Sequence, residues 1–107
     1  MADVMPPDAP SLARLMMIAD AIRAPWTPHP ALTVNQATLR VVKFQGHVAR
    51  WHAHDIDECY VVLSGEVLVE LRDQPVVRLQ PGDAYVVRAG VEHRPFAIPL
   101  ATILLIT

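Results

Sequence analysis

The chain has 107 residues, enough for one small domain and too few for a second hydrophobic core. Hydrophobic residues make up 52% and charged residues 19%, with a net charge of -2, which excludes a disordered chain. No basic run is present to follow a phosphate backbone, so nucleic acid is not an expected partner.

The start, Met1 to Asp8, is acidic and broken by proline, without the positive leader and unbroken apolar run of a signal peptide. The single cysteine, Cys59, cannot close an intrachain disulfide and suits a reducing compartment, so the expected location is cytoplasmic. From Ser11 to Arg23 the spacing predicts a helix. Leu12, Leu15, Met16, Ala19 and Ile22 recur at intervals of three and four along one face, and Pro10 stands at an early helical position. This stripe reads as packing surface. Pro25 to Pro30, enclosing Trp26 and His29, reads as a stiff connector, so residues 1–36 form a helix and connector ahead of a β domain over 37–107.

Beyond Ala31 the pattern changes to short runs of Val, Leu and Ile punctuated by Gly, Pro, Asp and Asn, the mark of an all-β domain. Predicted strands are Thr38–Gln45, Val48–His54, Cys59–Leu63, Glu66–Arg72, Val76–Leu79, Ala84–Arg88 and Leu100–Ile106. Ser64-Gly65, Asp73-Gln74-Pro75 and Gln80-Pro81-Gly82-Asp83 supply the turns. With no crossover helix to allow parallel pairing, a sandwich or barrel follows. The stretch Leu100–Ile106 is far shorter than the roughly 20 apolar residues of a membrane helix. No membrane partner is expected.

Alternate residues of a strand share a face, so His52 and His54 on one strand would have Cα atoms roughly 6.6 Å apart and could reach one ion. A loop Asp55–Asp57 then leads to a new strand opening at Glu58. The pattern Gly46, five residues, His52-Ala53-His54, three residues, Glu58, six residues, Gly65 resembles the first motif of the cupins. A second stretch, Gly82, five residues, Arg88-Ala89-Gly90, two residues and His93, resembles their second motif, with Arg88 in place of the usual Pro and Ala97 in place of the usual Asn.

The resemblance implies a double-stranded β-helix, or jelly-roll, barrel preceded by the short helix. It also implies one divalent metal held by His52, His54, Glu58 and His93, with one or two positions open to water or substrate. Three imidazoles and a carboxylate suit Fe, Mn, Ni, Co or Zn rather than Ca or Mg. His47 has the opposite parity to His52 and reads as solvated; His29, between prolines, reads as surface. Parity from His52 turns Val48 and Arg50 inward and Ala49 and Trp51 outward, and parity from Glu58 turns Tyr60 inward. Arg50 and Tyr60 are therefore the candidate catalytic side chains, a guanidinium to fork onto a carboxylate and a phenol to donate to an oxyanion. The expected function is metal-dependent chemistry on a small oxygenated molecule. It is either isomerisation or epimerisation of a keto acid or sugar, or a non-haem dioxygenase reaction. The alternative is a non-enzymatic module that binds or senses a small molecule through its metal. Leu100–Ile106 is apolar on both faces, so a homodimer is expected, with the helix as the other possible cover.

Overall fold

The computed structural model describes residues 9–47 and 50–107; the start Met1–Asp8 and the positions Val48 and Ala49 lie outside them, and with them the readings made of those residues. One short helix, α1 (Leu15–Ala21), precedes seven strands: β1 (His29–Val34), β2 (Ala37–His47), β3 (Glu58–Ser64), β4 (Val67–Leu71), β5 (Gln74–Leu79), β6 (Ala84–Val87) and β7 (His93–Ile106). All pairings are antiparallel, in the order β1-β2-β7-β3-β6, with β4 joining β7 to β5.

β7 organises the barrel. Its first part, His93–Ala97, pairs with β4, and its last part, Thr102–Ile106, pairs with β3. β2 runs along both parts, with a break in register where Gln45 faces Leu100 and the next residue, Gly46, faces Ala97. Gly46 has φ of 61°, and this irregularity lets one strand pass from one sheet to the other. Consecutive strands β3 and β4 thus fall on different parts of β7. Their connection brings Gly65 (φ 80°) directly against the Leu100 carbonyl.

Alternate residues of these strands fill the interior. Val42 and Phe44, Tyr60 and Val62, Val67 and Val69, and Ile103 and Leu105 are all buried in one cluster. On the outer face Ala19 and Ile22 pack with Val41, supported by Leu15, Ile18 and Ala31. The helix therefore covers part of the outer face of β2.

Several expectations about elements are corrected. The helix is shorter than Ser11–Arg23, because Arg14 at its start is extended and offers no side-chain cap, and Ile22 at its end is extended ahead of Pro25. Its packed face is Leu15, Ile18, Ala19 and Ile22, whereas Leu12 and Met16 are exposed. No strand runs through Arg50–His54: the backbone bends at Arg50, and only His52 makes a bridge, to His93. Part of the presumed connector is a strand, β1, joined to β2 by a turn at Asn35 (φ 53°). Pro30 is tolerated there because β1 is an edge. Likewise Pro75 lies within edge strand β5, and the β4–β5 turn is Arg72-Asp73. The Gln80–Asp83 turn forms as expected, with the Asp83 N–H donating to the Gln80 carbonyl at 2.9 Å.

Candidate metal centre

Four predicted residues converge at one end of the barrel. The His52 and His93 backbones exchange hydrogen bonds of 3.1 and 2.9 Å, which sets the two imidazoles side by side with ring centroids 4.2 Å apart. His54 is fixed through its carbonyl, which accepts from the Gly90 N–H at 2.9 Å, and its ring centroid lies 5.1 Å from that of His52 and 5.4 Å from that of His93. One ring nitrogen from each histidine lies within 4.8 Å of the others. Glu58 opens β3 and turns its Oε1 to within 3.6 Å of His54 Nε2 and 3.7 Å of His93 Nε2. Donors sharing one ion at about 2.1 Å stand roughly 3–4 Å apart, which is how far Glu58 Oε1 lies from each of these two nitrogens. Three histidines in this arrangement can hold a metal.

The loop before Glu58 is clamped to the turn after β6. The Asp57 carboxylate accepts from the Ala89 N–H at 2.8 Å and from the Arg88 guanidinium at 3.2 Å, and these donors hold its carboxyl below the usual range. Arg88, where cupins usually have proline, thus joins the two motifs by an ion pair, and His93 stays buried against the other histidines.

The protonation states suit ligation. His93 is fully buried, and its Nδ1 lies 2.9 Å from the Val91 carbonyl. Donation from Nδ1 leaves the lone pair on Nε2, an enclosed atom with no hydrogen-bond partner among the described residues. That lone pair faces the Glu58 carboxylate, and the two repel unless a proton or a metal cation stands between them. His52 has Nδ1 3.3 Å from the Arg50 carbonyl, so its Nε2 is free in the same way, and burial pushes its pKa below the ordinary imidazole value. Burial pushes the Glu58 carboxyl up, but His93 and Tyr60 beside it, and the positive charge available on His54 and His93, outweigh this and leave it below the usual range. Burial and the charge of Glu58 push the Tyr60 phenol well above its ordinary value. Tyr60 is therefore a proton holder, not a base.

Beside the histidines is a cavity of about 250 Å³. Tyr60 lines it; Arg50 does not. The Arg50 side chain is exposed, because parity counting from His52 fails once the backbone bends, and the residue meets the site only through its carbonyl. His47 is exposed and stacks on Phe96 at 4.3 Å, away from the centre. His29 is half-buried in β1. Trp51 is held between the Arg72 and Arg94 guanidinium groups, 4.3 and 4.7 Å from its ring. The residue that sequence reasoning passed over is Trp26. It lies nineteen positions before Gln45 of β2, to whose carbonyl its indole donates at 3.1 Å, and it stacks on Phe44 at 4.5 Å. Only an aromatic between two prolines marked it.

Residues 39–99 match the family model described as cupin domain. The chain is a cupin. Among curated proteins it is 30% identical over 84 residues to the uncharacterized protein YdbB of Bacillus subtilis (strain 168), covering 78% of this chain and 74% of the relative. Among solved structures, a cupin-2 domain containing protein from Shewanella frigidimarina NCIMB 400 superposes with a TM-score of 0.80 at 32% identity, covering 86% of this cupin and 89% of that chain. Hydroquinone 1,2-dioxygenase from Sphingomonas sp. TTNP3 superposes on the whole cupin with a TM-score of 0.83, using 35% of the larger chain. At 16% identity that likeness shows the shared fold alone.

Proposed function

We propose that this cupin binds one divalent transition metal through His52, His54, Glu58 and His93 and acts on a small oxygenated molecule in the adjoining cavity. The observation that carries the reading is the buried, unpartnered Nε2 of His93 facing the Glu58 carboxylate at 3.7 Å, a gap that a cation satisfies. A bound metal supplies Lewis acidity at a substrate oxygen, or one-electron chemistry with dioxygen where the metal is redox-active. The chain supplies the rest. Tyr60, keeping its proton, donates to an anionic substrate oxygen, and the Arg50 carbonyl fixes the tautomer of His52. The reaction is then an isomerisation or epimerisation, or a dioxygenation as in the neighbour from Sphingomonas.

A specific observation favours a second reading, a non-enzymatic binding module. Apart from the proposed ligands, Tyr60 is the one proton-transfer group lining the cavity among the described residues. Elemental analysis of the purified protein tests the metal. Oxygen consumption by the Fe(II) form, and deuterium wash-in beside a carbonyl, then separate the two reactions, and silence in both with ligand-dependent thermal stabilisation supports the module. We further propose a cytoplasmic homodimer that covers exposed apolar side chains of β7, Ile98 and Leu100. Sedimentation as a stable monomer at micromolar concentration would overturn it.

A further inference from the structure

The cavity wall is unusually uniform in chemistry. A row of rings leads from its mouth to the histidines: Trp26 stacks on Phe44 with centroids 4.5 Å apart, and Phe44 meets Tyr60 edge-on at 5.5 Å. Pro28, Val42, Pro95 and Leu105 complete the wall around His52, His54 and Glu58. No lysine or arginine lines it among the described residues. Strand parity explains this, because Lys43 falls between Val42 and Phe44 and points to the other face. Arg40, which shares the inner face of β2, turns to Thr107, with a guanidinium nitrogen 3.3 Å from the threonine hydroxyl.

Trp26 is placed at a conformational cost. Its φ of 65° lies in the left-handed region that side chains rarely adopt, and it is held there by donation from its backbone N–H to the Lys43 carbonyl at 2.7 Å and from its indole to Gln45. Strain of this kind concentrates at ligand clamps. The volume is small as well. A cavity of about 150 Å³ accepts benzene, so about 250 Å³ has room for one substituted ring.

Charge sets the remaining condition. A divalent ion beside ionised Glu58 carries one net positive charge, enough for a single oxyanion. A further carboxylate or phosphate on the substrate would have to be buried against an apolar wall without a counter-charge, which is costly.

We infer that the site takes a flat, single-ring phenolic compound with no carboxylate or phosphate, its hydroxyl directed to the histidines and its ring held along the face made by Trp26 and Phe44. The inference rests on the metal site proposed above and makes Trp26 a specificity-determining residue.

The test uses Trp51→Phe protein, in which Trp26 is the one remaining tryptophan and gives a single indole N–H resonance. Phenol, 4-hydroxybenzoate and glucose 6-phosphate are titrated separately at neutral pH, with metal-free protein and with the Zn(II) form. Phenol is expected to shift the indole resonance saturably in both forms, more tightly with Zn(II), while the two anions produce no saturable shift. Trp26→Leu, which keeps an apolar cover without a flat face, is expected to weaken phenol binding about tenfold, followed by ligand line broadening. Binding of 4-hydroxybenzoate or glucose 6-phosphate as tight as that of phenol would overturn the inference, and so would the absence of any saturable shift with phenol. Elemental analysis of the same samples separates the two readings. Zn(II)-treated protein that holds metal but rejects phenol refutes the phenolic substrate alone, and Zn(II)-treated protein that takes phenol but holds no metal refutes the metal site.

Discussion

At the residue scale, the centre is governed by where lone pairs point. Each of two histidines commits Nδ1 to a backbone carbonyl, Val91 for His93 and Arg50 for His52, which leaves Nε2 as the atom open to the proposed metal. His54→Ala should therefore lower metal affinity by more than about a hundredfold, beyond the effect of losing an orienting partner, whereas His47→Ala and His29→Ala should retain full metal by elemental analysis. Glu58→Gln removes the one anionic donor at constant volume and should shift metal preference more than stability. The pH dependence follows from the same groups. The pKa of folded His52 lies below its ordinary value of 6.5, so as pH falls through 6.5 the unfolded chain takes up a proton that the folded chain refuses. The stability of the metal-free protein is thus complete above that value and decreases below it, until folded His52 itself titrates. Glu58, lowered from 4.5, adds a loss of the same sign at more acid pH. Thermal melts of metal-free protein that rise on acidification from pH 7.5 to 5.5 would contradict this.

At the element scale, the residues of the candidate site were legible because their spacing is local, and the strands around them were less so. His52-x-His54 and Glu58 read correctly as a cluster even though no extended strand passes through Arg50–His54, since one bridge to His93 does the positioning. Parity failed for Arg50 for the same reason. β7 is twice the length expected from Leu100–Ile106: Pro95 and Pro99 interrupt the strand pattern in the sequence, whereas in the barrel β4 pairs across His93–Ala97 and β2 pairs on both sides of Pro99. β1 was hidden by the prolines around it, and Trp26 acquires its meaning only once β2 folds beneath it. The β3–β4 connection gives a sharp prediction. A Cβ on Gly65 would run into the Leu100 carbonyl and lie 2.7 Å from the Ala101 Cα, at a φ of 80°. Gly65→Ala should cost about 2–4 kcal/mol, from the unfavourable φ and the overpacking together, measured by denaturant unfolding. A cost below about 0.5 kcal/mol would mean that β7 can move away from the turn.

At the scale of the whole molecule, the four proposed ligands come from the segment before β3, the first residue of β3 and the first residue of β7, elements that meet only when the barrel closes. The interior cluster already holds β2, β3, β4 and β7 together, so the metal-free chain should fold. The metal should then add to that stability, because the unfolded chain cannot present the four donors at once. Free metal at a hundred times its dissociation constant contributes about 2.7 kcal/mol, which for a domain of this size raises the melting temperature by roughly 10–20 °C. His54→Ala should melt near the metal-free wild type and gain little from added Zn(II). The interior of the barrel and the wall of the cavity are one continuous apolar surface, since Val42, Phe44, Tyr60 and Leu105 belong to both. Removing metal should therefore lower the melting temperature without changing the far-ultraviolet circular dichroism at 25 °C. A metal-free protein that loses its strand signal at that temperature would show instead that the ion, not the apolar interior, closes the barrel.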